Sequence, residues 1–198
     1  GWSLWILLSE LRVLYEFQPC DGAASAVLPA LPVQYADFAV WQRERMNSPH
    51  ITEQLEYWRR QLSDAPRVLR LPADYPPPAV QRFVGDQHQF SIPEATWAGV
   101  LELARTQGTT PYVVALAAYQ ALLVRHTGQE DLCIGVAVAG RTHPATESLV
   151  GCFANTLVLR SRAFGNQRFI DHLHLTHQTV LDAHANQDLA FERLLHEL

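Results

Sequence analysis

Arg141, Asn155 and Thr156 are the residues of this 198-residue chain whose type and setting best suit handling a bound group. Ile134 to Ala139 is an apolar, β-branched run that ends in Gly140-Arg141. That pattern describes a buried strand delivering a permissive glycine and a cation into a loop, where chemistry is usually carried. A guanidinium there can hold several carbonyls or one carboxylate in a single geometry, which suits a substrate floor or a structural hinge. Further on, Asn155 interrupts the strand pattern of Cys152 to Arg160, and a buried amide must find partners. Asn155 and Thr156 therefore either bond a substrate or satisfy neighbouring backbone.

Other chemistries are less well supplied. Gly135 to Thr142 approaches the GxxxxGK[ST] phosphate loop, but Arg141 replaces the lysine, Val136 to Ala139 reads as strand, and Pro144 leaves little amide-rich helix start. A phosphate-loop-like nucleotide binder through Gly135 to Thr142 is kept as an alternative from a different functional class. The nine histidines invite a metal hypothesis, above all His172, His174 and His177. At about 100° per residue His172 faces away from His177, and no carboxylate completes a set with His174 and His177, so no metal site is expected. No GxSxG elbow is present for a serine nucleophile. Gln187 and Asp188 read as the start of the last helix rather than a catalytic pair, with Asp188 as its cap.

The elements that must position these residues emerge from periodicity and punctuation. Leu4, Leu7, Leu8, Leu11, Leu14 and Tyr15 recur at helical spacing and make one apolar stripe. Phe17 to Gln34 carries Pro19, Gly22, Pro29 and Pro32 and reads as a surface connection. Tyr35 to Met46 and Ile51 to Leu62 read as helices, with Ser48 capping and Pro49 opening the second, whose inward face is Ile51, Leu55, Trp58 and Leu62. Trp41 and Trp58 either wall a substrate or fill a core, and Arg43, Arg45, Arg59 and Arg60 read as solvated. Arg67 to Leu71 and Gln87 to Ile92 are expected to be strands, on either side of the rigid Pro72 to Pro78. Pro93 opens a helix closing near Gly108, and Thr110-Pro111 starts another that Gly128 stops. That second helix is apolar almost all round and is expected to be buried. Glu147 to Val150 has room for one helical turn. Gly165-Asn166 makes a turn, Phe169 to Ala185 a helix facing inward with Leu173, His177, Val180, Leu181 and His184, and Leu189 to Leu198 a final helix. Alternating helices and strands predict an α/β layered architecture.

Composition bounds the class. A chain of this length with 48% hydrophobic residues buries a real core in one large domain or lobe. Its net charge of -5 argues against nucleic acid or an anionic membrane as partner. Cys20, Cys133 and Cys152 are odd in number, lack CxxC spacing and read as reduced and structural, in keeping with a cytoplasmic location. No apolar run is long enough for a membrane span, and no basic region precedes the first apolar residues, so neither a transmembrane helix nor a signal peptide is expected.

The stretch Ile134-Gly135, Val138-Ala139-Gly140-Arg141, then Val150-Gly151-Cys152-Phe153-Ala154-Asn155-Thr156-Leu157 and Leu159-Arg160, resembles the condensation domain of nonribosomal peptide synthetases, with its "VAGR" and "GFFVNT" signatures. Upstream, Tyr35-Ala36-Asp37-Phe38-Ala39-Val40-Trp41-Gln42 is similar to that family's "YxDFAxWQ" segment. Downstream, Asn186-Gln187-Asp188-Leu189-Ala190-Phe191-Glu192 is similar to "HQDxPFE". Order and spacing agree across nearly the whole chain. Gly1 looks like the last residue of the catalytic "HHxxxDG" signature, with Trp2-Ser3 matching the Trp-Ser commonly found after it; the two histidines and the aspartate are absent. Ala137 stands where the family often has proline, Cys152 and Ala154 replace bulkier residues, and Asn186 replaces a commoner histidine.

The resemblance implies a chloramphenicol acetyltransferase-like two-layer α/β sandwich. The chain would supply mostly the C-terminal lobe over 18–198, with a helix over 1–17 that belongs with a missing N-terminal lobe. It implies amide-bond formation between aminoacyl or peptidyl thioesters carried on the phosphopantetheine arms of upstream and downstream peptidyl carrier proteins, beside an adenylation domain. No cofactor would be bound directly. Arg141, Asn155 and Thr156 would line the substrate tunnel or bridge the lobes, while Tyr35, Asp37, Trp41, Gly140, Gly151, Gln187 and Asp188 would be structural members of the family motifs. The chain alone is expected to form no amide and to aggregate through its exposed lobe interface. A noncatalytic remnant that binds carrier proteins is the nearer alternative.

Overall fold

The computed structural model describes residues 1–17, 28–76, 78–162 and 166–198. Cys20, Pro19 and Gly22 of the expected connection, Pro77 of the proline stretch and Gly165 of the expected turn lie outside the described residues. The elements are α1 (Trp2–Phe17), α2 (Tyr35–Arg45), α3 (Pro49–Leu62), α4 (Glu94–Thr106), α5 (Pro111–Thr127), β1 (Asp131–Val138), a 3-10 turn (Pro144–Thr146), β2 (Asn155–Arg162), α6 (Phe169–Ala185) and α7 (Phe191–Glu197). β1 and β2 pair in a two-stranded sheet.

Two compact units divide the chain. The first holds residues 1–60, 135–157 and 186–198. Its core is α3's inward face, where Ile51, Leu55 and Trp58 are buried as their spacing predicts, joined by Leu149, Phe153, Leu157, Leu189 and Leu194. Gln54 shares that face, because its side-chain carbonyl accepts the Leu189 amide at 2.9 Å and so satisfies itself. Trp58 fills the core and donates its indole N–H to the Asn186 carbonyl at 2.9 Å. Ser48 caps α3, accepting from the Ile51 amide at 3.4 Å. α2 is fastened at its start by Asp37, whose carboxylate accepts the Gln34 amide at 2.8 Å.

The second unit holds residues 61–134 and 158–185, with α5 packed against α4 and α6. Thr110 accepts from Val113 at 3.3 Å, Pro111 opens α5, and Gly128 ends it at φ 68°. α5 is not buried all round: Tyr112, Tyr119 and Leu122 are exposed, while Gln120 is buried and accepts a hydrogen bond from Thr176 at 2.8 Å. Apolar count misled here, since one polar side chain with a partner enters more readily than a tyrosine without one.

A buried arginine closes the β2 end of this unit. Arg160 donates to both carboxylate oxygens of Asp131, at 2.9 and 2.6 Å, and to the carbonyls of Gln61, Ser63 and Asp64 at 3.0, 2.5 and 3.2 Å. Those five bonds use its five N–H groups and satisfy carbonyls at and beyond the C-terminus of α3. Arg160's cation holds the Asp131 carboxyl below its usual value.

Several expectations are corrected. The stretches 67–71 and 87–92 are not strands: neither joins a sheet among the described residues, and Phe90 and Ile92 are exposed. Alternation marks which side chains share a face but supplies no partner strand for the backbone. α1 buries only Ile6 among its residues, leaving Leu4, Leu7, Leu8, Leu11 and Tyr15 exposed. α6 is rotated from the expected face: His172, Leu173, Thr176, Val180 and Ala183 are buried, whereas Leu181 and His184 are exposed. Cys152 precedes β2 rather than lying in it, and is exposed. The helical turn sits at Pro144–Thr146 rather than at 147–150, because the His143 ring accepts the Ala145 amide at 3.2 Å and starts it earlier. Arg45 and Arg59 are not merely solvated, since they pair with Asp188 and Glu197 at 2.7 and 2.6 Å. No helix among the described residues is long and apolar enough to cross a membrane.

Candidate functional site

Gly140, two residues beyond β1, has φ 64°, and a Cβ there would meet the Phe153 carbonyl oxygen at 1.8 Å. Only glycine satisfies both conditions. This close approach turns the chain so that the Arg141 guanidinium lies over the Phe153 ring, 4.1 Å from its centroid, and 5.3 Å from that of Trp2. Arg141 also donates to the Thr146 carbonyl and, at 3.0 Å, to the Ser3 hydroxyl. Burial pulls its pKa below the ordinary arginine value.

Gly151 is required for a second reason. A Cβ there would come within 2.2 Å of the Tyr35 ring, which lies against the bare backbone while its hydroxyl donates to the Cys152 carbonyl at 2.9 Å. Tyr35 meets Phe153 edge-on with centroids 5.2 Å apart, and Phe38 packs against the same ring at 4.6 Å. The first residues of α1 are tied to this loop. Trp2 donates its indole N–H to the Glu147 carbonyl at 2.9 Å, and Ser3 bonds both the carbonyl and the amide of Gly151, at 2.8 and 3.1 Å.

These segments border an open cavity of about 640 Å³ lined by Gly1, Trp2, Ser3, residues 137–139, Arg141 and residues 150–154. Its wall is largely apolar, with Arg141 as its cation. Ser3 and Trp2 were not singled out as site residues by sequence reasoning; the signal available was their place directly after Gly1.

Asn155 and Thr156 stand at the start of β2 with different surroundings. The Asn155 amide group donates to the carbonyls of Gln187 and Leu189 at 2.9 and 2.8 Å, and its oxygen accepts the amides of Thr156 and Phe191 at 2.9 and 3.0 Å. Four bonds to backbone exhaust its capacity and position the start of α7. The Thr156 methyl faces Gly135, where an added Cβ would meet it at 3.6 Å. Neither residue is brought to the Arg141 cavity.

Asp188 does not cap the last helix, whose N-cap is Ala190. Instead it pairs with Arg45, whose guanidinium lies 5.0 Å from the Trp41 ring centroid, while the His50 ring approaches it at 3.4 Å. Charge attraction from a helix already carrying Arg45 outcompetes a local amide. Trp41, Arg45, Thr142, Asn155, Gln187 and Asp188 help line a smaller cavity of about 270 Å³. Trp41 therefore walls a pocket and Trp58 fills the core.

The alternative phosphate loop is not formed. Gly135 to Val138 lie within β1, and Gly140 faces the Phe153 carbonyl, so the amides do not converge on a cradle. No cluster of three or more His, Cys, Asp or Glu able to hold a metal occurs among the described residues. His174 bonds Gln107 at 3.1 Å, whereas His172 is buried within the second unit.

The condensation-domain family profile matches residues 1–198. The chain is similar, at 46% identity over its whole length, to phosphinothricin tripeptide synthetase PhsB of Streptomyces viridochromogenes, of which it spans 16%. It is 40% identical to tyrocidine synthase 3 of Brevibacillus parabrevis, spanning 3% of that protein. Among solved structures, SgcC5 of Streptomyces globisporus matches all of the chain with a TM-score of 0.81 and 30% identity, the chain covering 44% of it. The α/β fold is thus shared with SgcC5, and the chain belongs to the condensation-domain family of nonribosomal peptide synthetases.

Proposed function

We propose that this chain forms one side of a condensation site that joins an upstream aminoacyl or peptidyl thioester to the amine of a downstream aminoacyl thioester. The observation that carries this reading is the convergence of two family-signature segments, around Arg141 and Gly151–Phe153, with residues 1–3 on one cavity of about 640 Å³. A thioester is already activated. The site's work is to position the amine, manage its proton and stabilise the developing oxyanion. The sequence contains no HHxxxDG, and in this reading proton handling is assigned to no residue of this chain.

Arg141 is assigned to the cavity wall, where its stacked cation presents fixed positive charge. Asn155 and Thr156, in keeping with the backbone bonds of the first, are assigned to holding β2 and α7 rather than to substrate contact. Tyr35, Gly140 and Gly151 shape the wall, and Asp37, Trp41, Gln187 and Asp188 support it. Residues 18–198 are assigned mostly to the C-terminal lobe, and α1 to the joint with an N-terminal lobe. The substrates arrive on phosphopantetheine arms of carrier proteins, with an adenylation domain nearby and the synthetase in the cytoplasm; no cofactor is bound by the chain itself.

The test is single-turnover amide formation in the intact synthetase with both carriers loaded, read as the mass of the downstream arm. Wild type is expected to add the donor acyl group, and Arg141→Ala to slow that addition. Loaded carriers that exchange no acyl group, despite a folded enzyme, would overturn the assignment.

A further inference from the structure

α1 is held at its start by polar contacts more than by packing. In its first turns Trp2, Leu4 and Trp5 are exposed, and Ile6 alone is buried. The Ser3 hydroxyl, by contrast, uses its whole bonding capacity on one small region: it donates to the Gly151 carbonyl at 2.8 Å and accepts from the Gly151 amide at 3.1 Å and from Arg141 at 3.0 Å. A single side chain thus bonds both peptide groups of Gly151 and the cation beside it. Gly151 has little freedom to yield, because its Cα faces the Tyr35 ring.

We propose that Ser3 is a positioning residue of the condensation site, a role that rests on the function proposed above. Its hydroxyl sets where the Gly1–Trp2 edge of the cavity stands against the Arg141 and Cys152 edge. It also fixes one arm of the Arg141 guanidinium, the other being held by the Thr146 carbonyl. Losing it frees the first turn of α1 to shift along the loop, and displacement of a wall by about 1 Å misaligns reacting groups at a cost on the order of 100-fold in rate. Ser3 does not itself touch the reacting atoms in this account.

The experiment compares wild type, Ser3→Ala and Ser3→Thr in the intact synthetase. Ser3→Ala is expected to lower the single-turnover rate of amide formation on the order of 10- to 100-fold, with the half-saturating concentration of loaded downstream carrier unchanged. Ser3→Thr, which retains the hydroxyl, recovers most of the rate. In wild type the Gly151 amide is protected from hydrogen exchange, and Ser3→Ala removes that protection. A Ser3→Ala rate within about twofold of wild type, or a rise in half-saturation at unchanged rate, overturns the role. So does free exchange of the wild-type Gly151 amide, which decides the matter even where Ser3→Ala does not fold. A wild-type enzyme that forms no amide overturns the condensation reading itself, whereas an active wild type with an indifferent Ser3→Ala overturns the Ser3 role alone.

Discussion

Gly140 and Gly135 stand five residues apart in sequence and carry opposite demands. Ala at 140 must adopt φ near 64° and displace the Phe153 carbonyl, so Gly140→Ala is expected to destabilise by about 3 kcal/mol or more. Ala at 135 meets only the Thr156 methyl at 3.6 Å, and Gly135→Ala should change stability by less than about 1 kcal/mol in either direction. Paired urea midpoints check both; equal effects would contradict the account. Gly140 and Arg141 were legible in the sequence because a glycine and a cation ending an apolar run have few other uses. Ser3, Asp188 and Arg160 were not, since each finds its partners 29 to 148 residues away, where local pattern carries no information. Asp188 shows the cost of local reasoning: an acid before a helix reads as a cap, but a nearby arginine claims it.

At the level of elements, Arg160 ties the carbonyls of Gln61, Ser63 and Asp64, at and beyond the C-terminus of α3, to Asp131 of β1. Arg160→Ala is expected to cost about 3 kcal/mol, because it leaves those carbonyls without this donor and removes the closer of the two cations beside Asp131, Arg162 remaining at 3.6 Å. Since Arg160 lowers the Asp131 pKa, the pair's contribution is fully present above the ordinary value of 3.8 and is lost as pH falls through the lowered folded-state value. Asp131→Asn should therefore flatten the acid limb of a stability-pH curve measured below pH 4. His172 acts in a different window. Burial among α5 and α6 lowers its pKa below 6.5, and its buried Nε2 has no hydrogen-bond partner. The unfolded chain takes up a proton there that the folded chain resists, so stability falls as pH drops from 6.5 toward the depressed value. His172→Leu is expected to remove that slope, checked by urea midpoints at pH 7.5 and 5.5. Both ends of α5 were legible in sequence, because Thr110-Pro111 and Gly128 are local devices, whereas the start of α7 was not. The strands expected over 67–71 and 87–92 and the inward face of α6 were not, because pairing and rotation depend on what an element meets.

For the whole molecule, the fold class and family were open to sequence reading because several motifs agree in order along one chain. The exposed stripe of α1 has a solution consequence. Leu4, Leu8, Leu11 and Tyr15 present apolar surface that water does not favour, so the chain by itself is expected to self-associate, and Leu8→Glu with Leu11→Glu to reduce it. Sedimentation velocity checks this, and a wild-type chain monomeric at all concentrations would contradict it. At this scale the proposal to be tested is that the cavity bordered by residues 1–3 and Arg141 is one side of a condensation site. The decisive measurement is single-turnover amide formation, run in parallel on the intact synthetase and on residues 1–198 alone with both carriers loaded. Acyl transfer to the downstream arm is expected with the intact enzyme and none with the chain alone; transfer by the chain alone, or none by the intact enzyme, rules the proposal out.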